Sequence, residues 1–141
     1  MQVMKLQDFK IEIKKLIQEH KITVSKQKFK SGVGRAYVEE KRIKIPRIID
    51  LYTAAVVVHE IAHVILNHTD EVDEYLVEYE TEMWTIRFLK KHDMHIDYKA
   101  EFEEYVMGAK SYVSSIINKQ KHVNANIKVR KRVNNWLSRN I

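Results

Sequence analysis

The sequence contains no cysteine, one proline and three glycines in 141 residues. The lack of cysteine removes disulfides, thiolate metal ligands and a cysteine nucleophile together, so any metal must be held by His, Asp or Glu. It also fits a cytoplasmic protein. Long apolar runs are missing as well. The longest unbroken stretch, Ala54 to Val58, falls far short of the ~20 residues of a membrane-spanning helix. The opening residues, MQVMKLQDFKIEIKKL, are interrupted by charges every few positions, so neither a signal peptide nor a membrane span is expected there. Acids are absent from one end of the chain. Residues 119–141 hold seven Lys/Arg and no acid, against 12 and five in residues 1–45 and six and 14 in residues 46–118. Acids gathered around histidines suit a cation site, and basic ends suit an anionic partner or solubility.

Hydrophobic residues make up 45% of the chain, enough to bury the core of a single domain spanning residues 1–141. Phe9, Ile13, Leu16 and Ile17 recur at helical spacing and predict an amphipathic helix from Asp8 to His20. From Ile22 to Ile45 short alternating runs separated by turn-like residues predict two or three antiparallel strands, with Gly32 and Gly34 as the strongest turn signal. Pro46, which cannot donate to a ladder, closes them. Asp50 can cap a helix from Leu51 to Asn67 that is apolar on nearly every face and therefore central. Thr69-Asp70 offers a cap for a second helix, Glu71 to Lys91, with Val72, Leu76, Tyr79, Met83 and Ile86 as its core stripe. Helices are also expected over Tyr98 to Asn118 and Val129 to Arg139. The class is α+β, a small antiparallel sheet preceding a buried helix with a mainly helical C-terminal half.

Residues 59 to 63 read His-Glu-Ile-Ala-His inside that apolar helix. Histidines at i and i+4 lie on one face a turn apart, so both imidazoles can reach one metal ion. Glu60 between them can take a proton from water at that ion. Two histidines and a carboxylate in an apolar run are costly to bury without a partner. A catalytic zinc wants a third protein ligand, and the next helix offers Glu71, Glu74, Glu78, Glu80 and Glu82. At ~1.5 Å per residue, His63 and His59 lie about 7 and 14 Å below the inter-helix turn, so a shared ligand belongs at about 10 Å. On that scale Glu74 comes at about 3 Å, Glu78 at about 9 Å and Glu82 at about 15 Å. Glu78 fits best. Glu82, one turn further, is placed either to hold a liganding histidine through a hydrogen bond or to serve as the alternative ligand.

The run VVVHEIAHVILNH followed by EYETEMW resembles the gluzincins, especially the ImmA/IrrE-like zinc peptidases of bacteria, phages and mobile elements. The resemblance covers about residues 33 to 92. It implies a zincin-like fold, a Zn2+ cofactor held by His59, His63 and Glu78, catalysis by Glu60, and an intracellular protein substrate such as a regulator or repressor. In many gluzincins the third ligand is a Glu followed four residues later by an acid, a spacing that Glu78 and Glu82 share. Thr81 and Glu82 stand where a small residue and an aspartate are usual, and only 14 residues separate His63 from Glu78.

An oxyanion-stabilising donor is not identified by sequence, but His92, His95, Tyr98, Tyr105 and Tyr112 are candidates. Arg42 to Ile45 is a candidate edge strand to which a peptide could add. The basic helical tail, about residues 119–141, could contact nucleic acid electrostatically. The main expectation is a zinc metallopeptidase acting on a protein or peptide. The alternative is a catalytically inactive zincin-fold module that binds DNA or a protein through its basic ends.

Overall fold

A computed structural model describes residues 2–25, 33–119 and 127–139. Among these the order is α1 (Gln2–Glu19), β1 (Thr23–Ser25), β2 (Arg35–Tyr37), a 3-10 turn (Val38–Glu40), β3 (Arg42–Lys44), α2 (Leu51–Leu66), α3 (Glu74–Lys91), α4 (Met94–Asp97), α5 (Lys99–Lys119) and α6 (Ile127–Ser138). The class is α+β: a three-stranded sheet precedes α2, and the rest is mainly helical.

The sheet corrects the expectation of an antiparallel one. Its order is β1-β3-β2, with β2 antiparallel and β1 parallel to β3. Loop length explains the difference. Only Val38–Lys41 join β2 to β3, so the chain must reverse, and Lys41 does so in the left-handed region at φ 48°. Residues 26–41 separate β1 from β3, which is long enough for a crossover that restores the same direction. Alternation of side chains is the same in both cases, so it carries no information on strand direction. β3, expected as an edge, is the central strand, with Ile43 fully buried, and β2 is an edge.

α2 begins where the sequence places it. The Asp50 carboxylate accepts from the Thr53 N–H at 2.9 Å, and the Thr53 hydroxyl oxygen accepts from the Asp50 N–H at 3.1 Å. It ends at Asn67, in the left-handed region at φ 46°, whose N–H reaches the His63 carbonyl at 3.1 Å. Ala54, Ala55, Val57, Val58, Ile61 and Ala62 have no solvent exposure. Each buried valine or isoleucine contributes roughly 1.5–3 kcal/mol. α1, the sheet, α3 and α5 all pack around this helix.

α3 starts three residues later than expected, at Glu74, because a turn closed by the Val72 N–H and the Thr69 carbonyl uses up Thr69–Val72. Its inward face also differs. Tyr75, Tyr79, Thr81, Glu82, Thr85, Ile86 and Leu89 are buried, whereas Leu76 and Met83 are only partly so. α1 begins six residues before Asp8, and Leu6 in that added stretch packs against the core. The short α4 was not anticipated: Asp93 turns the chain at φ 62° and lets Met94 plug the core. α6 docks through buried Val133 and Trp136, the latter edge-on to Tyr79 with centroids 5.4 Å apart. Gly32 and residues 120–126 of the basic tail lie outside the described residues.

Candidate metal centre

The α2–α3 hairpin brings His59, His63 and Glu78 together. The two histidine Nε2 atoms are 3.1 Å apart. Glu78 straddles them, Oε2 lying 3.2 Å from His59 Nε2 and Oε1 lying 3.3 Å from His63 Nε2. These three residues could hold a metal ion. Their side chains are 13–17% exposed, so the cluster is sheltered but reachable.

The outer edges of the imidazoles explain why these nitrogens face inward. Glu82 Oε1 lies 2.5 Å from His59 Nδ1 and also accepts from the Tyr105 hydroxyl at 2.7 Å. A carboxylate there draws the proton to Nδ1 and leaves the Nε2 lone pair pointing at the cluster. Glu82 therefore lies at the ring edge opposite the converging donors. For His63 the corresponding neighbour is Thr81, whose hydroxyl donates to the Val77 carbonyl at 2.7 Å and is 3.5 Å from His63 Nδ1. With its proton committed to Val77, the Thr81 oxygen can only accept from that ring edge.

Three electron-pair donors facing one another repel unless a cation lies among them. Two observations carry that imprint. Glu78 Oε2 is buried and, apart from its 3.2 Å pairing with His59 Nε2, meets no polar partner among the described residues. Burial works against a charged His59, yet hydrogen bonds to Glu78 and Glu82 outweigh it and push its pKa up to about 10. Burial likewise opposes ionisation of Glu78, but its hydrogen bonds to His59 and His63 hold it down to about 2. A proton is bound tightly where a metal ion fits, and the donor set of two imidazoles and a carboxylate suits such an ion.

Glu60 sits beside this cluster. It is only 8% exposed, makes no hydrogen bond among the described residues, and lines a cavity of about 720 Å³. Burial pushes its pKa up, His59 and His63 pull it down, and Glu78 and Glu82 push it up again; the net direction is upward. Gly34 closes over it. A Cβ at position 34 would stand 2.8 Å from Glu60 Cγ, closer than real contacts allow, and a tight 3.1 Å from Val56 Cγ1. Sequence reasoning took this glycine for a turn residue. Its φ is not positive, and what requires glycine is the close approach to Glu60.

Of the five candidate oxyanion donors, the structure places two near the cluster. Tyr105 is committed to Glu82, and burial followed by that carboxylate pushes its pKa well up. Tyr112 lines the cavity with Glu60. Burial, and then Glu78, Glu74, Glu60 and Glu82, raise its pKa, so its hydroxyl stays protonated and able to donate. His92 packs on the Phe88 ring, with centroids 4.7 Å apart, and His95 packs on Phe102 at 5.9 Å. Tyr98 adjoins Leu6 of α1. Glu80, a poorer ligand candidate by spacing, lies 3.6 Å from His68, and Glu74 lines a separate pocket beside His63. Thr81, Gly34 and the Glu82-binding role of Tyr105 were missed in the sequence, where only the unusual Thr at position 81 gave any signal.

No helix among the described residues is long and apolar enough to cross a membrane. No protein-family model, curated protein or solved structure matches the chain.

Proposed function

We propose that the protein is a zinc-dependent metallopeptidase with a zincin-like architecture, in which His59, His63 and Glu78 hold the metal and Glu60 is the general base. The observation that carries this reading is the juxtaposition of three converging donors with a largely buried carboxylate, Glu60, that lines a cavity. Zinc is favoured over calcium or magnesium because two donors are nitrogen. The edge of a tetrahedron with Zn–N of about 2.0–2.1 Å is about 3.3 Å. The 3.1 Å between the two histidine Nε2 atoms is close to it, and the three residues each offer one ligand atom within 4.8 Å of the others.

When bound, zinc supplies a Lewis acid that polarises a peptide carbonyl and makes water nucleophilic at neutral pH. The chain supplies the rest. Glu60, its proton affinity raised by burial, accepts a proton from water as the new C–O bond forms and delivers it to the departing amine nitrogen as the C–N bond breaks. Glu82 holds the His59 ring in its orientation. Tyr112, which lines the same cavity, is the candidate donor to the oxygen on which charge develops. β2 is an edge strand packed along α2 and could take an extended peptide as a further strand. By resemblance, the substrate is a cytoplasmic regulator.

The test is cleavage of a denatured-protein or peptide mixture by zinc-loaded protein. Wild type should cut and Glu60→Gln, equally loaded, should not. Full zinc loading with no cleavage by wild type overturns peptidase activity.

A second reading is a metal-holding module that contacts nucleic acid. It is favoured by α6, where Val133 and Trp136 face the body while Lys131 and Arg132 are exposed, as is Arg139 just beyond the helix. Duplex-DNA binding that weakens steeply with salt would support it.

A further inference from the structure

We infer that the cavity beside Glu60 receives a lysine or arginine side chain of the substrate, gripped between apolar walls and a pair of carboxylates at the mouth. The inference rests on the reading of this site as one that admits a peptide chain, and adds the class of side chain it selects.

The cavity is a trough of about 720 Å³ between α2 and α5, within the size range of pockets that hold small ligands. One wall is Tyr52 and Val56 of α2, leading inward to His59 and Glu60. The other is one face of α5, where Glu101, Glu104, Gly108, Ala109 and Tyr112 follow at helical spacing. Glu101 to Tyr112 spans about 16 Å at ~1.5 Å per residue. At the inner end the polar groups are His59, Glu60 and Glu82, and Glu60, 8% exposed, has no hydrogen-bond partner for its carboxylate among the described residues.

Glu101 and Glu104 are both exposed at this trough, and neither forms an ion pair among the described residues. An apolar channel that ends at unpaired carboxylates matches a side chain with an aliphatic stem and a cationic head. Such a chain buries its methylenes and keeps its charge at the wet rim. A neutral apolar side chain would leave the carboxylates unused, and an acidic one would meet two like charges together with Glu60. The middle of the trough adjoins open space at Gly108, where a Cβ meets nothing within 4 Å.

The experiment is binding of short peptides that differ only in carrying arginine, citrulline or glutamate at one position, read by calorimetry or NMR at low salt on the zinc-loaded protein. Citrulline keeps the shape of arginine and removes its charge. Arginine should bind about fivefold tighter than citrulline, as expected of two partly exposed ion pairs, and glutamate weakest. The Glu101→Gln/Glu104→Gln double variant should erase the arginine–citrulline difference. Gly108→Leu, whose added atoms enter open space, should weaken both peptides without changing zinc stoichiometry. Equal affinity for arginine and citrulline, or no binding of any peptide at millimolar concentration, overturns the inference. An arginine preference without cleavage of any peptide supports it while overturning the peptidase reading, so the two failures are distinct.

Discussion

The two arms of the hairpin solve opposite problems. α2 is apolar on nearly every face and carries its polar residues as one compact insertion, His59, Glu60 and His63. α3 carries them on the face it turns inward, where Glu82 is 3% exposed and Thr81 and Thr85 not at all. In α2 the site interrupts a core, whereas in α3 the buried face is itself part of the site. A hydrophobic-periodicity reading therefore succeeds on the first arm and mis-aims the second. It assigns Leu76 and Met83 to the core because they are apolar, although Glu82 and Thr85 are more deeply buried. A buried polar face at helical spacing marks a site that other elements must satisfy. Here Tyr105 of α5 does so for Glu82 at 2.7 Å.

This contrast can be broken by substitution. The largest effect is expected at Glu60 of α2. Glu60→Gln should lower peptide hydrolysis by about 10²–10⁴-fold with zinc content unchanged, measured by kcat/KM and metal analysis together. In α3 the effect should fall on the metal. Glu82→Gln removes the charge that orients His59 and should weaken zinc binding by about 10–100-fold in a chelator competition.

Proton competition comes next. His59 binds a proton up to about pH 10 in the metal-free protein, so zinc must expel it, and apparent zinc affinity should rise by about tenfold per pH unit between pH 7 and 9. The sign for stability follows from the same raised value. The contribution of His59⁺ to the metal-free fold is complete below its unfolded pKa of ~6.5 and is lost as pH rises through about 10. Metal-free Tm should therefore fall as pH rises from 7 to 10, and loading with zinc should flatten that fall. The smallest effect belongs to Thr81. At 3.5 Å from His63 Nδ1 its hydroxyl is a weak acceptor, and Thr81→Val should change zinc affinity by less than about threefold. A Thr81→Val loss as large as that of Glu82→Gln would show that the two histidines are oriented alike.

Legibility in the sequence follows the same line. α2, its Asp50 cap and its Asn67 terminus could be read because local chemistry determines them. Glu78 could be selected because rise per residue in two helices sharing a turn orders the carboxylates by height. That ordering survives the three-residue shift in the start of α3. The direction of β1 could not be read, since side-chain alternation is blind to it. Gly34 could not be read as a cover for Glu60, because its contact spans 26 positions of sequence and depends on how β2 lies along α2. Tyr105 was visible as a polar aromatic in the helix expected over Tyr98 to Asn118, but its partner lies on a different helix and only packing reveals it.

Elemental analysis and X-ray absorption of purified protein decide whether the α2–α3 cluster holds zinc. The expected result is one zinc per chain, coordinated by two imidazole nitrogens and carboxylate oxygen, and loss of that zinc in both His63→Ala and Glu78→Ala. A wild-type protein that takes up no zinc at micromolar concentration, or substituted proteins that bind it as tightly as wild type, would contradict it.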